Sequence, residues 1–406
     1  MKLFLLTLLT PMVTMAAGYQ MRYQSAETMG TAFASDVTGS KTASGFYNNP
    51  SQLMFLEDGI HGSVELMGLF PMGDFEDGTS PIPGSSPTAD GFASTSFIPS
   101  LYYGQKLTDN YGIVVSFTVP WATNTEYDDD FIGRFHGLKT YLATYNLTPS
   151  FVYSVSEKLS VSVGPQIQFM TGELSQAIPP PAPQPTKLGF EGDNIAVGAV
   201  ISALYQATDD LKIGFTYKSR VKHNLKGEQT LDSVAPALPG VGANGDDVAL
   251  KMSTPDVITI GATYSLNEKV DLHGSFSWTG WSVLDELAIE NESTGDVNTT
   301  ITDWDNTIFV AFGADYNFSE TWTFRGGLSY ETGAPVDAHR SPRSVDEDRV
   351  TIGLGAGYAI NETMTINGAL TQLFYTTDPK IDLASVSGTY KGNMATAVRV
   401  GLSARF

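Results

Sequence analysis

The sequence has no cysteine, which excludes both a disulfide framework and a thiol nucleophile. Basic residues are scarce, with 23 Lys and Arg against 44 Asp and Glu and a formal charge of -21. A basic face for phosphate recognition is missing, so nucleic acid is not an expected partner. The five histidines, His61, His136, His223, His273 and His339, accompany no recognisable serine motif. Beyond Leu3 to Val13 no apolar run approaches the roughly 20 residues of a spanning helix.

Lys2, the run Leu3 to Val13, and then Ala16, Ala17 and Gly18 follow the plan of a secretory signal peptide, residues 1–16. Forty glycines and 11% aromatics tilt the composition toward an all-β protein. The closing stretch Met394 to Phe406 alternates, with Val398, Val400, Leu402 and Phe406 on one face and Arg399, Gly401, Ser403 and Arg405 on the other. Such a strand suits lipid on one side and a polar lumen on the other.

A hairpin device recurs six times: an aromatic residue, then a polar turn, then a new alternating run. It stands at Tyr103, Tyr153, Tyr205, Tyr264, Tyr316 and Tyr358. Longer Gly-, Pro- and Asp-rich connections separate these hairpins, near 71–94, 122–137, 177–189, 230–247, 291–305, 333–347 and 378–389. Short turns on one side and long loops on the other predict a transmembrane antiparallel β-barrel of about 14 strands over residues 58–406. The tyrosines would form a girdle at the membrane boundary. Leu211, Ile213, Phe215, Tyr217 and Val221 read as the apolar face of one strand, with Lys218, Arg220 and Lys222 turned to the lumen. Residues 17–57 are longer than a leader to a first strand needs. They are expected either to be disordered or to fold into the lumen as a plug, since a barrel of this size encloses more room than its wall fills.

Ala17-Gly18-Tyr19-Gln20, Gly30 to Ala34 and Phe46 to Leu53 resemble the N-terminal hatch of the long-chain fatty-acid outer-membrane transporter (FadL/TodX) family. Val119-Pro120-Trp121, Thr144 to Ser150, Gly214 to Ser219, Trp278 to Trp281, Trp322 to Gly327 and Asp346 to Arg349 continue the likeness in order. The resemblance implies a plugged barrel that takes up hydrophobic molecules without catalysis. Ligand would pass from outer loops to an inner apolar pocket, and leave through a wall gap after a hatch movement. The family's Asn-Pro-Ala hatch motif stands here as Asn49, Pro50 and Ser51, which puts close packing of that Ala in doubt. Basic residues that meet a carboxylate in fatty-acid carriers are missing from Met170 to Ala177, which leaves room for an uncharged ligand. Arg325 and Arg349 are further lumen-facing cations without an assigned role.

Met67, Leu69, Phe70, Met72 and Phe75 form an apolar cluster that would be a capture site if exposed in the first outer loop; the competing reading makes them the end of strand one. Ile178 opens a Pro-rich run suited to a groove wall. Pro120, lacking a backbone donor, is the candidate for the lateral opening, and Gly164-Pro165 is a second break whose ordinary reading is a tolerated bulge. Asp128 to Asp130 have two readings, a divalent-cation site bridging to lipopolysaccharide phosphates and, favoured over it, a solvated charge run. No cofactor or metal is expected. The expected partners are a hydrophobic small molecule, outer-membrane lipid and lipopolysaccharide, with the protein a monomer in the outer membrane. The alternatives are a general or substrate-selective porin or, less favoured, a barrel enzyme or adhesin; His273 with Asp271 and Ser275 is a triad by composition, though polar residues on the lumen face of a strand do this routinely.

Overall fold

The computed structural model describes residues 18–82, 85–180, 186–232 and 241–406. The expected signal peptide, residues 1–16, lies outside these, as do Pro181 to Pro183 of the Pro-rich run.

Fourteen strands form the wall: β1 Ile60–Thr79, β2 Ser96–Lys106, β3 Tyr111–Thr118 continued by Ala122–Glu126, β4 Lys139–Ser156, β5 Leu159–Ala177, β6 Lys187–Gln206, and β7 Leu211–Lys218 continued by Val221–Leu231. The others are β8 Asp247–Thr254 continued by Val257–Asn267, β9 Val270–Thr279, β10 Thr307–Asn317, β11 Trp322–Glu331, β12 Arg349–Asn361, β13 Met364–Tyr375 and β14 Val386–Arg405. Each pairs antiparallel with its neighbours, and β14 returns to β1 from His61↔Arg405 to Thr79↔Ser387, so the sheet closes with no open edge.

Side chains alternate along these strands as a wall between lipid and lumen requires. On β14, Val398, Val400 and Leu402 are exposed, while Arg399 and Ser403 are buried. The six hairpin tyrosines all stand outward near the short turns, between 36% and 46% exposed. An amphipathic ring at that boundary keeps its face in acyl chains and its hydroxyl near water.

The outer connections carry more strand than the sequence suggests. β1 runs on to Thr79 because it keeps pairing with β14, so 71–79 is wall and not loop. Glu286–Asn291 and Val297–Ile301 form a hairpin within the connection after β9. A second correction concerns β7. Val221 is buried and Lys222 exposed, the reverse of the expected facing, and Arg220 is exposed too. The strand breaks at Ser219–Arg220, and one inserted residue turns every later side chain to the opposite face.

Residues 18–56 fill the lumen on the short-turn side, almost wholly buried. The segment holds a short helix, α1 (Ala26–Gly30), and two 3-10 turns, Ala43–Tyr47 and Pro50–Phe55. Asn49 caps the second turn, accepting from Ser51 N at 3.0 Å, while its amide donates to Val37 O and Ala203 O. Pro50 sits at the first turn, where its missing N–H costs nothing. Ser51 Oγ meets Ser202 Oγ of β6 at 2.8 Å, so this hydroxyl is spent on the wall.

Buried charged groups fix the hatch to the wall at three places. Glu65 of β1 and Arg399 of β14 pair with each other at 2.5 Å within the wall, and together they hold the hatch, Glu65 accepting from Ala26 N at the start of α1 and Arg399 donating to Tyr23 O at 2.8 Å. Arg325 meets Glu27 at 3.5 Å. Arg22 meets Glu331 at 2.7 Å, and Glu331 is shared with Arg349. Wall glycines make room: a Cβ on Gly327 would stand 2.0 Å from Thr31 O, and one on Gly353 2.4 Å from Met29 O.

Candidate functional site: an apolar pocket above the hatch

Between the hatch and the long loops lies a cavity of about 940 Å³, part of it open mouth. Leu142, Leu174, Leu250, Met252, Leu284 and Leu287 form its walls, and threonines and serines its rim. A few polar groups in an apolar cleft are the usual make-up of a small-molecule site.

Tyr19 closes the bottom. Its ring packs edge-on against Trp281 at 4.6 Å, with Trp121 and Trp304 each at 6.0 Å, and its hydroxyl donates to Ser253 O at 3.0 Å. Gly18 precedes it at φ +58, in the left-handed region, and a Cβ there would lie within 3 Å of both Trp281 and Trp304. Only glycine fits that approach. Gly18 N donates to Asp346 Oδ2 at 2.8 Å, and Asp346 is held by Arg349 at 2.7 Å. The first described residues are therefore both the floor of the pocket and one end of a buried ion-pair chain running Asp346, Arg349, Glu331, Arg22.

Arg343, from the connection between β11 and β12, stands in the pocket wall and also lines a second, more polar cleft of about 610 Å³ nearer the loops. Its guanidinium donates to Lys139 O, Thr140 Oγ1, Ser175 O and Gln176 Oε1 at 3.0 to 3.2 Å, all neutral acceptors. Among the described residues no carboxylate forms an ion pair with it, in contrast to Arg22, Arg325, Arg340, Arg349 and Arg399. Burial pushes the guanidinium down to about 10. A buried cation without a counter-charge is costly, and an incoming anion would relieve that cost.

Beside the pocket floor the wall is broken. β3 leaves the ladder at Val119–Trp121, where Pro120 has no N–H to donate. Pro120 O accepts from Met21 N at 2.7 Å, and Ala122 N donates to Tyr19 O at 2.8 Å, so the strand pairs inward with the start of the hatch. Ser96 to Ser100 of β2 pair with β1 but have no partner on β3, whose ladder begins at Leu101↔Phe117. Pro165 keeps its pairing with Ala199, and only Thr148 to Ser150 of β4 lack partners opposite it.

The apolar cluster predicted for the first loop lies on a strand and is split by alternation. Met67 and Leu69 are buried against the hatch, while Phe70 and Met72 face outward, 38% and 48% exposed. Phe75 is buried with Phe92, Tyr127, Phe131 and Tyr390 in an aromatic cluster that meets the pocket through Phe92 and Val345. Ile178 is buried just past β5. None of these six lines the pocket itself. His273 bonds Thr263 Oγ1 at 2.9 Å and faces Asp315 at 3.2 Å, whereas Ser275 Oγ donates to Phe33 O of the hatch, so the two do not meet. Asp129 pairs with Lys187 at 2.7 Å. Sequence reasoning missed Tyr19 as a stopper and Arg343 altogether. The tryptophans around Tyr19 are a signal of a kind, being three of only five in the chain; Arg343, in an irregular loop, carries none.

A plugged, closed barrel with an apolar pocket above the plug defines an outer-membrane transport protein. The chain belongs to the outer membrane protein transport protein family (OMPP1/FadL/TodX), whose model matches residues 7–406. It is 26% identical over 387 residues to a long-chain fatty acid transport protein of Escherichia coli O6:H1, covering 87% of this chain and 85% of the relative. It is 24% identical over 394 residues to outer membrane protein P1 of Haemophilus influenzae, covering 87% and 84%. Its fold matches a Pseudomonas aeruginosa FadL homologue at a TM-score of 0.87 and 22% identity, covering 96% of this chain and 100% of the other. The Ralstonia pickettii toluene transporter TbuX matches at 0.68 and 18% identity, covering 93% and 98%. The protein is thus an outer-membrane β-barrel of a transporter family for hydrophobic compounds.

Proposed function

We propose that this barrel takes up long hydrophobic molecules with an anionic head, of the fatty-acid type, and performs no catalysis. The observation that carries this reading is Arg343, a buried guanidinium bonded only to neutral groups in the wall of an apolar pocket. A carboxylate there would gain a charge-assisted bond, and each methylene sheltered by the leucine walls adds about 0.8 kcal/mol. The naming of its relatives as long-chain fatty acid transport proteins supports the same class. Ligand enters past the outer aromatic cluster, where Phe75 and Ile178 stand, and displaces Tyr19 and Gly18 from the pocket floor. The break at Pro120 then serves as the sideways exit. Residues 17–57 act as the movable hatch with Asn49, Pro50 and Ser51 as its fixed turn, residues 1–16 direct export, and the protein works as a monomer among lipid and lipopolysaccharide.

The test is binding of a long-chain acid and of the alcohol of equal length to purified protein and to Arg343→Gln. The reading predicts that the wild type prefers the acid and that the variant loses this preference while still holding the alcohol. Equal binding of acid and alcohol by the wild type would overturn the anionic class.

A further inference from the structure

Two neighbouring strands break at one level. β7 is interrupted between Lys218 and Val221, and β8 between Thr254 and Val257. Beyond that line Asn194 to Ala199 of β6 have ladder partners on β5 but none on β7; pairing resumes only at Asp193↔Lys226. A single peptide contact holds the lower corner, Ser219 N to Ala199 O at 2.9 Å, beside Ala199 N to Ser219 Oγ.

Side chains close this seam in place of backbone bonds. Val221 and His223 are buried, and a Cβ on Gly198 would meet Val221 Cγ2 at 2.6 Å. His223 stands 3.2 Å from both Asn194 Oδ1 and Gln168 Oε1. On the lipid side Ile195 and Val197 are 67% and 62% exposed. On the inner side Leu225 packs in the same apolar cluster as the pocket residues Leu142 and Met252. The seam therefore lies one side chain from the pocket. It sits about as high as the break on β3, since Val197 and Pro120 are each nine residues from the short-turn end of their strands, Gln206 and Tyr111.

Past the break, β8 pairs with the hairpin strand Glu286–Asn291 and not with β9. The outer halves of β7 and β8 with that hairpin make a flap that carries Leu250, Met252 and Leu287. Asp256 pins its base: Oδ1 accepts from Tyr217 at 2.7 Å and Arg220 N at 3.0 Å, Oδ2 from Arg220 Nε at 2.7 Å, and its carbonyl from Gly280 N at 2.9 Å.

We propose that the β6–β7 seam is a second lateral portal, through which an acyl chain in the bilayer core reaches the pocket when the flap swings about Asp256. The carboxylate holds the closed state by tying Tyr217, below the break, to Arg220 within it. This portal uses the pocket described above but needs neither Arg343 nor an anionic head, so it stands or falls separately.

The experiment uses the full-length protein in phosphatidylcholine vesicles whose lipids carry a diazirine midway along one acyl chain. After irradiation, adducts are mapped on the wild type, on Asp256→Asn and, as a milder variant, on Tyr217→Phe. Adducts are expected on Val221 and His223 as well as on exposed Ile195 and Val197. Their ratio to the Ile195 adduct is expected to rise several-fold in Asp256→Asn and less in Tyr217→Phe. Adducts confined to Ile195 and Val197 in all three proteins would overturn the portal. Adducts on Val221 at one level in all three would overturn the hinge at Asp256, and with it the proposal as stated.

Discussion

Toward the short turns the lumen is filled by the chain's own residues, bonded to the wall through the buried ion pairs Arg22–Glu331 and Glu27–Arg325 and through the Glu65–Arg399 pair of the wall, which holds the backbone of Ala26 and Tyr23. Toward the long loops the same wall leaves a cavity lined by leucines, with a guanidinium that pairs with no carboxylate among the described residues. The difference teaches how one barrel is both sealed and receptive. Below, nearly every charge has a partner, so moving the hatch exposes unpaired buried groups and is resisted. Above, the Arg343 guanidinium in the pocket wall is left to be answered by whatever enters.

The comparison breaks most severely if a latch is cut on one side only. Arg399→Leu leaves Glu65 buried without its cation, and removing one partner of such a pair costs about 3–5 kcal/mol. Denaturant melting of the purified protein should show a loss of that order, with the hatch becoming open to protease first. A smaller effect is expected from filling a wall hollow. Gly327→Ala places a methyl against Thr31 O, and overpacking of this kind costs about 1–3 kcal/mol. The readout is again protease access to residues 18–56, with an unchanged pocket floor.

The upper half is sharpened by pH. The guanidinium of Arg343 is depressed to about 10 by burial, so it stays charged through neutrality and is lost as pH rises through that value. Acid binding should be flat from about pH 6 to 9, and weaken above about 10 as the cation disappears and below about 4 as the ligand carboxylate protonates. Binding of the equal-length alcohol should ignore both limbs. The least effect is expected at the rim, where Lys251 and Glu290 pair at 2.9 Å in the open. Lys251→Ala should change melting by less than about 1 kcal/mol.

The wall was largely legible in the sequence because lipid and lumen impose a period of two on every strand, as on β14, and because each inner hairpin needs a polar turn beside a boundary tyrosine. The length of β1 was not, since the pairing that carries it to Thr79 comes from β14, more than three hundred residues away. The facing of Lys222 failed for a related reason. One residue inserted at Ser219–Arg220 leaves the alternation on either side intact and reverses only their relation, which depends on Asp256 in the next strand. Pro120 was readable because proline itself breaks a ladder. Arg343 was not, because its place is set by four acceptors at the ends of β4 and β5, and no spacing in the chain reports that meeting.

Single-channel conductance of the intact protein in a planar bilayer tests most directly whether the lumen is stoppered. The account predicts no steady open-pore current from the intact protein, and open events once the Glu65–Arg399 latch is cut by Arg399→Leu. A large, persistent current through the uncut protein would contradict it.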